Sequence, residues 1–214
     1  MKILSVSDVE ISFINSPSVV KRFPDLDFIL GCGDLSYAYL EYIVSMLNIP
    51  LYYVRGNHAK KVEYGDKWSR HEPWGGKDLH RRCIKHDSGV LMAGIEGSVR
   101  YSHGPHQYSQ GEMWLMVWSL VPTLFLNRLR YGRYLDIFVT HAPSWQIHDK
   151  EDLPHQGIKA FRWLVNVFQP ALHVHGHIHL YGPDVQRESY LKNTRVVNTF
   201  GYQELELEGI RGYN

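Results

Sequence analysis

Apolar positions in the first third of the chain come in short continuous runs, separated by one helical stripe. Lys2–Ser7 and residues 28–30 read as strands, the second cut by Gly31, Cys32 and Gly33. Over residues 36–48, Leu40, Ile43, Val44 and Leu47 recur at helical spacing, and Pro50 follows as a stop. Residues 51–54 form a third strand-like run that ends at Gly56-Asn57. Residues 59–110 are polar and rich in Gly, Pro, Trp and Arg, so loops are expected there, with strands near Arg82–Lys85 and 90–93. Residues 112–131 read as a helix broken or kinked at Pro122. A strand at 135–139 precedes a helix framed by Pro154 and Pro170, whose apolar face is Ile158, Phe161, Leu164, Val165 and Phe168. Strands at 171–175, 195–198 and 202–207 complete the pattern. Strands alternating with helices over short loops predict an α/β sheet with a strand-rich C-terminal end.

The length of 214 residues suits one domain over 1–214 that buries its own core. A formal net charge of +1 argues against binding nucleic acid by bulk electrostatics. Two cysteines, Cys32 and Cys83, are too few for a disulfide framework, and residues 1–6 are too short and too soon polar for a signal segment. A reducing, cytoplasmic setting is therefore expected. The most apolar stretch, residues 113–126, falls short of a bilayer span of ~20 residues and contains Pro122, so it reads as a buried or partly exposed helix, with an interfacial segment as the lesser alternative, and no membrane partner is expected. The count that changes the picture is 13 histidines, which raises metal or proton-transfer chemistry.

Five polar segments follow predicted strands: Asp8-Val9-Glu10, Gly33-Asp34, Gly56-Asn57-His58, Thr140-His141 and Gly176-His177-Ile178-His179. Ligands of open α/β sheets gather at the carboxyl ends of strands. Asp, Asn and His without thiolate make a hard-to-borderline donor set, suited to Mn, Fe, Zn, Co or Ni rather than to a structural zinc finger.

In order and spacing these segments resemble the calcineurin-like metallophosphoesterases, whose pattern is D-x-H, G-D, G-N-H-[DE], a lone H and G-H-x-H. The likeness spans Asp8 to His179. Residues 140–143, His155-x-Gly157 and residues 170–179 are similar to the branch of small metallophosphoesterase-domain proteins. The resemblance implies a four-layer α/β/β/α sandwich of two mixed sheets flanked by helices. It also implies a two-metal centre, with Asp8, Glu10, Asp34 and His179 on one ion and Asp34, Asn57, His141 and His177 on the other. Asp34 would bridge, because a carboxylate has two oxygens to share. The implied reaction is in-line attack of a metal-bridging hydroxide on a phosphodiester or phosphomonoester, with His58 protonating the leaving alkoxide. A small molecule or nucleotide is the expected substrate. A scaffold that kept the fold without the chemistry, and a nuclease, are the alternatives.

Two positions depart from the pattern. Glu10 stands where the family usually has His; it can still ligate, and its added charge favours Mn or Fe. Ala59 stands where a carboxylate commonly supports the preceding His, which leaves the support of His58 open. Arg55, before Gly56, is a candidate fork donor to a phosphate oxygen, its alternative being a strand-end surface Arg. His155 is a candidate for the substrate pocket. His173 reads as structural, and His175 as structural or as a support behind the ligands. Trp68, Trp74, Tyr101 and Tyr108 are candidates either for stacking on a base or for loop packing.

Overall fold

The computed structural model describes residues 1–65, 68–182 and 185–208, without the Trp68 side chain. In chain order the described elements begin β1 (Lys2–Ser7), α1 (Ser18–Arg22), β2 (Phe28–Gly31), α2 (Tyr37–Leu47) and β3 (Leu51–Tyr53). A ribbon of β4 (Glu63–Gly65) and β5 (Trp68–Arg70) precedes β6 (Gly76–Asp78), β7 (Arg82–Lys85) and β8 (Leu91–Ile95). A second ribbon, β9 (Ser98–Val99) with β10 (Gln107–Tyr108), leads into α3 (Gln110–Tyr131). The chain ends with β11 (Ile137–Thr140), α4 (Lys159–Phe168), β12 (Leu172–His175), β13 (Glu188–Leu191), β14 (Thr194–Asn198) and β15 (Gly201–Glu206).

Eleven of these strands build two mixed sheets, ordered β15-β1-β2-β3-β6 and β13-β14-β12-β11-β8-β7. The period-2 alternation of each strand divides the core into three layers. Ile3, Phe28, Leu30, Tyr52, Met92, Ile137, Val139, Leu172 and Val174 point into the seam between the sheets. Leu4, Val6, Ile29, Leu51 and Tyr53 point the other way, onto Leu40 and Ile43 of α2. Phe138 and Ala93 face Val117, Leu120 and Leu124 of α3 and Phe161, Leu164 and Val165 of α4. Each fully buried Leu, Ile, Val or Phe contributes about 1.5–3 kcal/mol, so continuous apolar runs such as Phe28-Ile29-Leu30 are what a strand packed on both faces requires. The four-layer α/β/β/α order expected from the resemblance is the observed one.

Helices α2 and α3 start on side-chain caps. Ser36 Oγ accepts from Tyr39 N to start α2, and Asn48 ends it in a left-handed conformation. Ser109 and Glu112 form a reciprocal capping box on α3, and Gly132 closes it. Here the structure differs from expectation: α3 runs unbroken through Pro122 for 22 residues. Its packing on the second sheet outweighs the one hydrogen bond that proline removes.

Candidate metal centre

The parallel strands β1, β2, β3, β11 and β12 present their C-terminal ends at one edge of the sandwich, and the five polar segments meet there. Asp8 follows β1, Asp34 follows β2, Asn57 and His58 follow β3, His141 follows β11 and His177 follows β12. Three of these, Asp8, Asp34 and His177, take left-handed backbone angles, with φ of 65°, 55° and 67°. For an L residue other than Gly this conformation costs on the order of 1 kcal/mol. It turns each side chain back over the sheet edge. Two glycines leave room for the turns. A Cβ on Gly56 would lie 2.0 Å from Asp34 Oδ1, and one on Gly176 would lie 1.9 Å from Ser7 Oγ.

Among the described residues, Asp34, His141 and His177 bring one donor atom each within 4.8 Å of one another. The protons can be assigned from the partners. His141 Nδ1 donates to the Cys32 carbonyl at 2.8 Å, so in the neutral ring Nε2 carries the lone pair. That Nε2 lies 2.9 Å from Asn57 Oδ1 and 3.2 Å from Asp34 Oδ2. Asn57 is fixed in this sense because its amide nitrogen donates to the Tyr101 hydroxyl at 3.0 Å. Three lone-pair atoms therefore face one another in a buried place, an arrangement that needs a cation among them. His177 Nε2 donates to the Pro154 carbonyl at 2.7 Å, which leaves its Nδ1 as the free donor.

The charges respond accordingly. Burial works against ionisation of Asp34, but the charge and hydrogen bond of His141 and the His58 N–H at 2.8 Å outweigh it and hold the carboxyl well below the usual range. Burial likewise opposes protonation of His141, yet Asp34, Asp8 and the Cys32 carbonyl lift it to about 9. In His177, burial and the neighbouring His141 win, and the ring falls to about 4. A proton on His141 is one cation that satisfies the cluster; a metal ion is the other.

Asp8 accepts from Ser7 Oγ at 2.6 Å and from the His177 N–H at 3.1 Å, and stands 3.7 Å from His179 Nε2. Glu10 does not join them in this arrangement. It is exposed, and its carboxylate accepts from Ser36 Oγ at the start of α2. The structure thus brings together all four residues expected on one ion, Asp34, Asn57, His141 and His177. Of the other set, Asp8 and His179 approach each other while Glu10 is turned aside.

Arg55 corrects the sequence reading. Its Nε donates to the Tyr37 hydroxyl, Nη1 to Asp78, and Nη2 to the Tyr53 hydroxyl and the His71 carbonyl. A guanidinium with all three nitrogens engaged offers no fork to a phosphate. It braces β3 against β6 instead. His155 does reach the site edge, its ring 5.4 Å from that of His177 and its Nδ1 on Asp152. His58 lies on the open side, where Tyr101 comes to 3.4 Å from its Nε2. Sequence reading missed Tyr101 in this role because no spacing rule links residues 43 positions apart. Tyr108 donates to the buried Glu96, so it is packing rather than platform. Behind the ligands, His175 Nδ1 donates to the Gly176 carbonyl and its Nε2 meets His148 Nδ1 at 2.9 Å. His148 in turn meets Ser189 Oγ at 2.8 Å, so His175 supports the ligand loop from inside.

Two hollows flank the centre. One of about 280 Å³ is lined by Asp34, Ser36, His58, Lys60 and Tyr64. The other, about 750 Å³, is lined by His148, Lys150, Arg162, His179, Tyr181 and Tyr190.

The calcineurin-like phosphoesterase pattern matches residues 1–181. The chain belongs to that family. Its fold is similar to that of TT1561 of Thermus thermophilus, at 18% identity and a TM-score of 0.62, over 94% of this chain and 89% of that one. Weaker likenesses are to GAP50 of Plasmodium, the anchor in the inner membrane complex (11% identity, TM-score 0.49, 92% and 70% covered), and to Vacuolar Protein Sorting 29 of Cryptosporidium parvum (12%, 0.44, 94% and 74%). A search by sequence among curated proteins finds no match. Members of the family are generally dinuclear-metal hydrolases, and the donor set here is compatible with that chemistry.

Proposed function

We propose that this chain hydrolyses a phosphodiester, with a phosphomonoester as the lesser substrate, of a small molecule or nucleotide. The observation that carries the reading is the convergence of Asp34 Oδ2, Asn57 Oδ1 and His141 Nε2, with His177 beside them. These four residues would hold one ion, and Asp8, His179 and Asp34 a second, Mn or Fe before Zn, Co or Ni. Bound there, such ions clamp a phosphoryl group and activate a water.

The chain's own residues do the rest. Asp34 keeps its charge because His141 and the His58 N–H stabilise it. The Cys32 and Pro154 carbonyls fix the tautomers of His141 and His177. His58 stands at the solvent side of Asp34, lining the smaller hollow, where it can hand a proton to a departing alkoxide. Lys60 lines the same hollow, beside Glu63. An alkoxide is a poor leaving group from either ester, and a proton from His58 would assist its departure.

The test is metal analysis of the purified chain, with turnover of bis-p-nitrophenyl phosphate and p-nitrophenyl phosphate after loading with Mn, Fe or Zn. Diester turnover that Asp34→Asn abolishes supports the reading, as does a His58→Ala loss of about 10²-fold or more on an alkyl phosphodiester, where the departing alkoxide needs a proton. Metal binding with no turnover of either substrate favours a scaffold that retains the fold; Glu10, turned onto Ser36, is the observation on that side.

A further inference from the structure

Helix α3 is apolar on two opposite faces. Met113, Val117, Leu120 and Leu124 are buried against the second sheet. At 100° per residue, Leu115, Trp118, Pro122, Phe125, Leu126 and Leu129 fall on the far side, within an arc of roughly 100°. They are out in solvent: Leu115 is 72% exposed, Leu129 84%, and Trp118 and Phe125 about half. On α4 alongside, Val167 is 48% exposed, and Trp163 stacks on Trp118 with centroids 5.3 Å apart. Single exposed apolar residues are ordinary; a continuous stripe along the outward face of one helix is not.

Beyond Glu112 in the first turn, where it is paired with Arg100, the charges along the stripe have one sign. Residues 113–135 contain no Asp or Glu, while Arg128 and Arg130 are exposed near the helix end. Arg81 on the neighbouring β7 side reaches Ser119 Oγ at 3.3 Å, and Lys85 lies 4.7 Å above the Tyr131 ring. Arg133 is neutralised by Asp136 and takes no part.

We propose that the outward face of α3 docks on a phospholipid surface rich in anionic headgroups. Leu, Trp and Phe along a helix flanked by Arg and Lys is the pattern of a helix lying in the plane of a bilayer interface. No helix among the described residues is long and apolar enough to cross a membrane, and a helix lying on one needs no such length. Charge separates lipid from a second copy of the chain. Two stripes packed in parallel set arginine against arginine. Packed antiparallel they bring Arg128 and Arg130 to Glu112, whose carboxylate already serves Arg100 and the Ser109 cap. Anionic headgroups supply the missing counter-charge. The surface is separate from the metal centre, and the proposal does not rest on the phosphoesterase reading.

Flotation of the full chain with phosphatidylcholine vesicles, with and without phosphatidylglycerol, tests it. Binding is expected with the anionic vesicles, weaker with the neutral ones, and reduced by salt. The double variant Leu115→Gln, Leu129→Gln is expected to lower partitioning at least about tenfold, and Arg128→Gln, Arg130→Gln about fivefold per charge. Leu115→Met with Leu129→Met should retain binding. Thermal midpoints should stay at the wild-type value, because these side chains point outward. No flotation on either vesicle overturns the proposal. So does flotation that the Gln pair leaves unchanged, or a dimer in sedimentation that the Gln pair dissociates while vesicles retain nothing.

Discussion

The Tyr101 hydroxyl accepts a hydrogen bond from the Asn57 side-chain amide at 3.0 Å and lies 3.4 Å from His58 Nε2. One group thus orients both a donor to the cation cluster and the candidate proton donor. It takes the place of the carboxylate that Ala59 lacks. Tyr101→Phe keeps the ring and removes the tether. It is expected to lower kcat or Mn affinity by about tenfold, the usual cost of losing a supporting partner, with KM nearly unchanged. Steady-state kinetics and calorimetric Mn titration measure both.

Glu10 sets the second prediction. Its bond to Ser36 leaves the Asp8–His179 pair one donor short, and its charge weakens the pull of an ion on nearby water. The wild-type chain is expected to keep one equivalent of Mn through gel filtration, and Glu10→His two. The pH optimum of the wild type should lie above that of Glu10→His. Identical pH–rate profiles would sink the charge argument.

Gly176→Ala places a methyl group 1.9 Å from Ser7 Oγ and 2.6 Å from Asp8 Oδ2. The backbone must shift at the site where His177 takes its left-handed turn. The variant is expected to lose about 1–3 kcal/mol of stability, as overpacked sites do, and with it Mn binding. Urea unfolding and metal analysis on the same preparation check the pair.

Acid stability depends on histidines held neutral. Burial, then neighbouring histidines, keeps His173 at about 3, His177 at about 4 and His175 well below its usual value. The unfolded chain binds these protons below about pH 6.5 and the folded chain does not. Their contribution is therefore complete above about pH 6.5 and is lost as pH falls towards about 3, by about 1.4 kcal/mol per pH unit for each histidine. His141 has the opposite sign. Its raised value of about 9 gives stability that is full below the ordinary 6.5 and disappears as pH rises through 9. In chelator, urea midpoints are expected to peak between these windows; a flat profile from about pH 4 to about pH 7 would refute the first.

Much of the fold is legible in the sequence because burial on both faces writes continuous apolar runs, as at Phe28-Ile29-Leu30, and a half-buried helix writes a stripe, as at Leu40, Ile43 and Val44. Short elements such as β6 and β13 lack that signal, since their few residues are half-exposed and are placed by pairing rather than by periodicity. Pro122 misleads for a related reason: local propensity predicts a break that tertiary packing overrides. The ligand segments are legible because chemistry restricts residue type. Their conformation is not, since nothing in Gly33-Asp34-Leu35 announces a φ of 55° at Asp34. Arg55 is misread because its partner Asp78 enters from a strand that only the fold brings alongside.

Asp8, Asp34 and Asn57 hang from the first sheet, His141 and His177 from the second. An ion gripped by both groups is a rivet through the open edge of the sandwich. The seam beneath is apolar and close-packed, without directional bonds of its own, so an ion at this edge would add a directional tie to the inter-sheet hydrogen bonds already there. Withdrawing the ion would then do more than stop a reaction. It would leave the two sheets tied at that edge by hydrogen bonds such as His141–Cys32 and His177–Asp8, so loosening would start at the end where the rivet was.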